Sequence, residues 1–279
     1  MDMKKIKSPA DIKKLTLAEL NTLCGELRDV LLKKLSAHGG HIGPNLGILE
    51  ATVAMHYVFN SPVDRIVFDV SHQCYVHKML TGRMEAFTDP AKYDEVSGYT
   101  EPSESEHDAF IIGHTSTSIS LACGLAKARD LKGETNNVIA VIGDGSLSGG
   151  TNLIIIVNDN QMSIAENHGG LYQNLKELRE TKGESECNFF KSMGLDYRYV
   201  EKGNDLESLI KAFQSVKDTP HPVVVHINTE KGHGYSFAEE QKENFHWGMP
   251  FDLATGKPKQ SFEEEDYGDL TAEYLLEKM

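Results

Sequence analysis

Two apolar, β-branched runs, Val138–Ile142 and Leu153–Val157, constrain this chain more than any other feature. Strands covered on both faces read as near-continuous Val, Ile and Leu, so both runs belong inside a parallel sheet. Each run ends in small polar residues. Gly143, Asp144 and Gly145 follow the first, and Asn158, Asp159 and Asn160 follow the second. Open parallel sheets gather ligands at the carboxyl ends of their strands. An aspartate at one tip and an asparagine at the next, Asp144 and Asn160, can share a hard cation such as Mg²⁺. That ion takes oxygen ligands and completes its shell with phosphate and water. The glycines let the backbone approach a phosphate with no Cβ in the way. A G-D-G turn by itself also fits a plain strand-to-loop turn, whereas the pair of tips after two buried strands is far more specific.

The composition narrows the class of function. A formal charge of −14 argues against nucleic acid, which rewards clustered Lys and Arg. An acidic chain that holds a diphosphate needs a metal and backbone amides, and the two tips offer both. No stretch approaches the ~20 apolar residues of a membrane span, and mean hydropathy is −0.38. Met1–Ser8 is lysine-rich without an apolar core, so it is not a secretory signal. Cys24, Cys74, Cys123 and Cys187 are scattered with no C-x-x-C, which reads as reduced thiols in a cytoplasmic protein.

The remaining pattern alternates helices and strands. Thr16 to Glu19 forms a capping box before Leu20, Leu23, Leu27 and Leu35 at helical spacing, and Gly39-Gly40 ends that helix. A second helix is expected over Ile48–Tyr57, after the loop H-I-G-P-N-L-G that carries His41. Arg65–Val70 reads as the first strand, with Ser71-His72-Gln73 and then His77-Lys78 beyond its tip. Imidazoles there suit a phosphate or a reacting carbonyl better than zinc, because no cysteine or acid has ligand spacing. Gly113-His114-Thr115 opens a helix over Ile119–Leu131, where the hydroxyls are N-caps or the free amides face a diphosphate. Helices over Leu171–Glu180, Phe189–Met193 and Asp205–Lys217 and strands over Asp196–Val200 and Val223–Ile227 complete the expectation. The fold class is therefore α/β: a doubly wound, mostly parallel sheet with helices on both faces. Tyr235, in K-G-H-G-Y, is either a core aromatic or a ligand contact, and the flanking glycines favour close backbone approach.

The runs H-I-G-P-N-L-G-I-L-E, F-D-V-S-H-Q-C-Y-V-H-K-M-L-T-G-R, S-E-S-E-H-D-A-F-I-I-G-H-T-S-T-S-I-S and N-D-N-Q-M-S-I-A-E-N together resemble the amino-terminal domain of the 1-deoxy-D-xylulose-5-phosphate synthases. The paired G-D-G and N-D-N tips resemble the thiamin diphosphate motif of the wider transketolase superfamily. The likeness covers roughly Leu17 to Asp252. It implies thiamin diphosphate and Mg²⁺ as cofactors, and condensation of pyruvate with glyceraldehyde 3-phosphate with loss of CO₂. It carries metal-ligand roles onto Asp144, Asn160 and the Met162 carbonyl. Cofactor contacts fall on His72, Gly113, His114, Thr115, Gly145, Ser146, Asn160 and Tyr235. His41 and His246 become candidates for proton transfer and carbonyl polarisation, and His72 and His114 for binding or polarising near the cofactor.

The resemblance further implies a homodimer, while the charge and the lack of a long apolar stretch argue against nucleic acid and membrane partners. It divides the chain into a diphosphate-side domain, residues 1–260, and a linker with the start of a following domain, residues 261–279. The second half-site, which activates the cofactor, lies outside these residues, so the chain alone is expected to be inactive. A transketolase-like ketol transferase would share every cofactor residue and differ in its donor. A diphosphate-binding fragment or subunit without activity is the reading from another class.

One spacing departs from the family. Only Gly143 to Asn152 separate the two central runs, whereas parallel neighbours need a crossover of about a dozen residues or more. Either the two strands are not parallel neighbours, or a family segment is missing near Gly150–Thr151. The stretch from Leu171 to Asn188 is expected to be shortened in the same way.

Overall fold

A computed structural model describes residues 3, 6–143, 153–259 and 267–278. Asp144, Gly145, Ser146 and the Gly150–Thr151 junction therefore lie outside the described residues. The described chain builds one five-stranded sheet of β1 (Arg65–Phe68), β2 (Val138–Gly143), β3 (Ile154–Asp159), β4 (Asp196–Val200) and β5 (Val223–Asn228). The spatial order is β1-β2-β3-β5-β4 and every pairing is parallel. The two central runs are thus direct parallel neighbours, in the register Ile139↔Ile154, Val141↔Ile156 and Gly143↔Asn158. This excludes the non-adjacent alternative.

Alternation along these strands divides the core into two. Phe68, Ile139, Val141, Ile156 and Val225 face the helices Leu17–His38, Leu49–Val58 and Leu206–Val216. Val67, Ala140, Ile142, Ile155 and Val224 face the helices Ser118–Lys132, Gly170–Glu180 and Phe189–Ser192. Helices on both faces explain why the strands carry no polar side. The strand order turns back after β4, which lies at the edge while β5 returns to pair with β3.

Local chemistry sets the helix ends where the sequence placed them. Thr16 Oγ1 accepts the Glu19 amide at 3.3 Å, and the Glu19 carboxylate accepts the Thr16 amide at 2.8 Å. The same helix stops at Gly39, whose φ of 83° is the left-handed region that favours glycine. Among the described residues no helix is long and apolar enough to cross a membrane.

Candidate active site

The carboxyl ends of β1, β2 and β3 open into one cavity of about 480 Å³. Its walls bring together His41, His72, Thr115, Gly143, Asn158, Asn160, Met162, Lys231 and His246. Segments far apart in the chain thus converge where an open parallel sheet collects ligands.

Three imidazoles form the centre of this wall. The rings of His41 and His72 lie 4.9 Å apart, those of His72 and His246 5.6 Å, and those of His41 and His246 6.0 Å. Burial first, then the His41 and His246 rings and the Lys231 ammonium, push His72 down to about 3. Burial, Lys231 and His41 push His246 down to about 4, and burial also lowers His41. All three are therefore neutral near pH 7. The Nδ1 atoms of His72 and His246 are buried without a hydrogen-bond partner, the kind of unsatisfied group that a ligand or water commonly serves. Lys231 is almost wholly buried, and its ammonium donates to the Ser163 and Ile164 carbonyls at 2.6 and 3.2 Å.

Asp69 is the single carboxylate among the described lining residues. Its oxygens accept the amides of Ser116, Thr117 and Ser118, each at 3.1 Å. The carboxylate thereby caps the helix that starts at Ser118. The amides expected to face a diphosphate are those of this helix start, and Asp69 occupies them. The backbone around this cap is tightly wound. Val70 and Ser71 stand at φ 57° and 65°, a region a β-branched valine seldom enters. Such positions concentrate at functional sites.

The N-D-N tip divides its labour. Asn160 lines the cavity, and its Oδ1 accepts the Met162 amide at 3.0 Å. Asn158 also faces the cavity, held by the Thr229 hydroxyl at 2.5 Å. Asp159 points into the protein instead. It is fully buried, pairs with Arg179, and accepts from His226 Nε2 at 2.8 Å.

The model of the 1-deoxy-D-xylulose-5-phosphate synthase family matches residues 3–187. The chain belongs to the 1-deoxy-D-xylulose-5-phosphate synthase family. It is 41% identical to the 1-deoxy-D-xylulose-5-phosphate synthase of Caldanaerobacter subterraneus subsp. tengcongensis, over 98% of this chain and 52% of that protein. It is 38% identical to that of Symbiobacterium thermophilum, over 99% of this chain and 51% of that protein. The chain thus spans about half the length of these curated relatives. The two alignments run over 327 and 328 positions against 279 residues, so these synthases carry segments that this chain does not. Among solved structures, transketolase from Pichia stipitis in complex with sedoheptulose-7-phosphate superposes with a TM-score of 0.64 at 19% identity, covering 93% of this chain and 44% of that one. Transketolase from Campylobacter jejuni gives 0.63 at 17%, covering 92% and 46%. These establish the shared α/β fold.

Within the synthase family fold, His41, His72, Thr115, Asn160, Met162 and His246, all expected site residues, line the same cavity. Asp144, Gly145 and Ser146 lie outside the described residues, but Gly143, which precedes them, lines the same cavity as Asn160. Three other expected residues, Gly113, His114 and Tyr235, are not on the described lining. Gly113 and His114 are exposed. Tyr235 packs against Phe237, Phe245 and Phe251, and its hydroxyl donates to the Leu253 carbonyl at 3.0 Å. That is the core-aromatic alternative. The flanking glycines serve protein packing: a Cβ on Gly232 would lie 2.6 Å from the Ala238 backbone, and one on Gly234 2.3 Å from Arg28 Nε.

His77 is also corrected. It is fully buried away from the cavity, between His56 at 2.9 Å and Asp108 at 2.8 Å. Its neighbour Lys78 pairs internally with Glu104. Sequence reasoning overlooked Asp69 and Lys231 in the cavity wall, and Asn45 buried behind it. Each lies inside a quoted motif, where the role was assigned to the histidines beside Asn45 and Asp69 and to Tyr235 beside Lys231.

Proposed function

We propose that the chain is the part of a thiamin-diphosphate-dependent 1-deoxy-D-xylulose-5-phosphate synthase that holds the diphosphate end of the cofactor with Mg²⁺. The observation that carries this reading is the chemistry of the cavity wall. In a protein of net charge −14, the described lining presents neutral imidazoles, asparagine amides and one ammonium, while its single carboxylate is taken up by three amides. Such a wall accepts an anion. The buried, partnerless Nδ1 atoms of His72 and His246 fit a group that brings its own hydrogen-bonding atoms.

When bound, thiamin diphosphate supplies the electron sink for breaking and making carbon–carbon bonds beside a carbonyl. The chain supplies the rest. Asn160, the Met162 carbonyl and Asp144 would hold the cation. His72, Thr115, Gly145 and Ser146 would bind the cofactor. His41 and His246, uncharged near neutral pH, would accept or donate a proton at the carbonyl of pyruvate or of glyceraldehyde 3-phosphate. The Lys231 ammonium, held in place by two carbonyls, adds to burial in keeping His72 and His246 uncharged and would place a fixed positive charge near the reacting atoms.

Titration calorimetry of thiamin diphosphate into the protein tests this. Binding is expected only with Mg²⁺, and Asn160→Ala or Asp144→Ala is expected to weaken it at least tenfold. Binding that ignores Mg²⁺ and both substitutions would remove the assignment. Comparing pyruvate with ketose phosphates as donors in the full-length protein then fixes the reaction.

A further inference from the structure

We propose that Asn45 is a positioning residue that sets His41 and His72 against one another, deepening the function proposed above and resting on it only for what the two rings serve. Asn45 is fully buried in the short helix Gly43–Gly47. Its single amide nitrogen donates to the His41 carbonyl at 2.8 Å and to the His72 carbonyl at 2.9 Å. Its Oδ1 accepts the Tyr75 amide at 3.0 Å. One side chain therefore satisfies three backbone groups drawn from two segments that are remote in sequence.

The other ties of each segment run mostly to third parts of the chain: Gly40 exchanges two backbone bonds with Gly248, and Ser71 Oγ donates to the Ile112 carbonyl at 2.6 Å. His41 sits in a loop behind two glycines at φ 83° and 127°, and His72 follows the left-handed Val70 and Ser71. The amide of His41 meets the Tyr75 hydroxyl only at 3.5 Å. The planar carboxamide, with two donors and one acceptor at fixed angles, matches all three groups, and no other side chain of that size does. Because the rings lie 4.9 Å apart, a small slip between the loops changes both their separation and their access to water. Catalytic geometry tolerates little of that.

Asn137 provides a matched control. It is also buried and bridges with two donated bonds, to Asp64 and Asp218 at 3.0 Å each, and one accepted from the Asp218 amide at 2.9 Å. It stands just before β2, at the opposite ends of the strands. The experiment is a pH titration of the His41 and His72 ring resonances, followed by NMR on the cofactor-free protein. In Asn45→Ala both midpoints are expected to rise toward the ordinary histidine value of about 6.5 as the rings gain water. In Asn137→Ala neither moves, although thermal stability falls by a similar amount. An Asn45→Ala protein that melts earlier with both titrations unchanged would overturn the proposal. Should that variant fail to fold, Asn45→Ser, whose one hydroxyl donates to one carbonyl, must shift at least one of the two rings, and no shift overturns it. Because the titration involves no cofactor, its failure is distinct from a failure to bind thiamin diphosphate.

Discussion

The carboxylate of Asp69, at the tip of β1, accepts the amide of Ser118 at 3.1 Å and so ties the first strand to the start of the helix Ser118–Lys132. The same carboxylate also takes the Ser116 and Thr117 amides. Removing it leaves three amides without their acceptor, and the expected cost of Asp69→Ala is about 1–3 kcal/mol. Asp69→Asn keeps one acceptor oxygen and is expected to cost less. Urea midpoints of the two variants against wild type check this order, and equal midpoints would contradict it.

A second consequence concerns pH. His56, His77 and Asp108 form a fully buried chain, with Asp108 accepting two bonds from Arg83. Burial drives both imidazoles below the ordinary histidine value. Burial would raise Asp108, but its bonds to Arg83 and His77 outweigh that and hold it low. A histidine lowered in the folded state stays neutral while the unfolded chain takes up a proton below about pH 6.5. The unfolded state then binds more protons, so stability is complete above that pH and falls as pH drops below it. His41, His72 and His246 act in the same sense. Unfolding free energies between pH 8 and pH 5 are expected to decline with acid, and His56→Leu should flatten the slope. A flat wild-type profile would exclude this origin.

Neighbouring residues of the N-D-N tip should separate in function. Asp159 is fully buried between Arg179 and His226, and these partners overcome burial to hold its carboxyl below the usual range. Asp159→Asn is expected to destabilise by about 2–4 kcal/mol, since it leaves the buried cation partly unpaired. Mg²⁺-dependent binding of thiamin diphosphate should survive in the folded fraction. Asn160→Ala should do the reverse, keeping stability and losing binding. Thermal melts beside calorimetry on both proteins decide the matter, and loss of binding in Asp159→Asn at full stability would make Asp159 a ligand instead.

The strands were legible because burial on both faces forces apolar runs, and Val138–Ile142 and Leu153–Val157 have no other use. The tip of β3 was legible as a cavity wall because Asn158 and Asn160, small polar residues after such a run, line it. What could not be read was direction. Nothing in N-D-N says that Asp159 turns inward to Arg179 while Asn158 and Asn160 face the cavity; the strand's two-residue alternation becomes decisive only once its register with Gly143 is known. Two histidines five positions apart, His72 and His77, looked alike, yet the first stays at the cavity and the second enters the core on the helix Tyr75–Lys78. Asn45 and Asp69 escaped notice because they bond to backbone groups, and a sequence does not show where another segment's amides and carbonyls will lie.

The K-G-H-G-Y loop offers a last test, of what its glycines are for. Gly234 stands at φ 84°, and a Cβ there would meet Arg28 Nε at 2.3 Å. Arg28 pairs with the buried Glu50 and donates to the His233 carbonyl at 3.0 Å. Alanine at 234 must therefore adopt a left-handed backbone and displace a guanidinium whose loss strands a buried carboxylate. The expected penalty is about 2–4 kcal/mol. If the glycine served ligand approach instead, Gly234→Ala would keep its melting temperature and lose cofactor affinity. A lowered melting temperature, with affinity per folded molecule retained, is the outcome the packing requires.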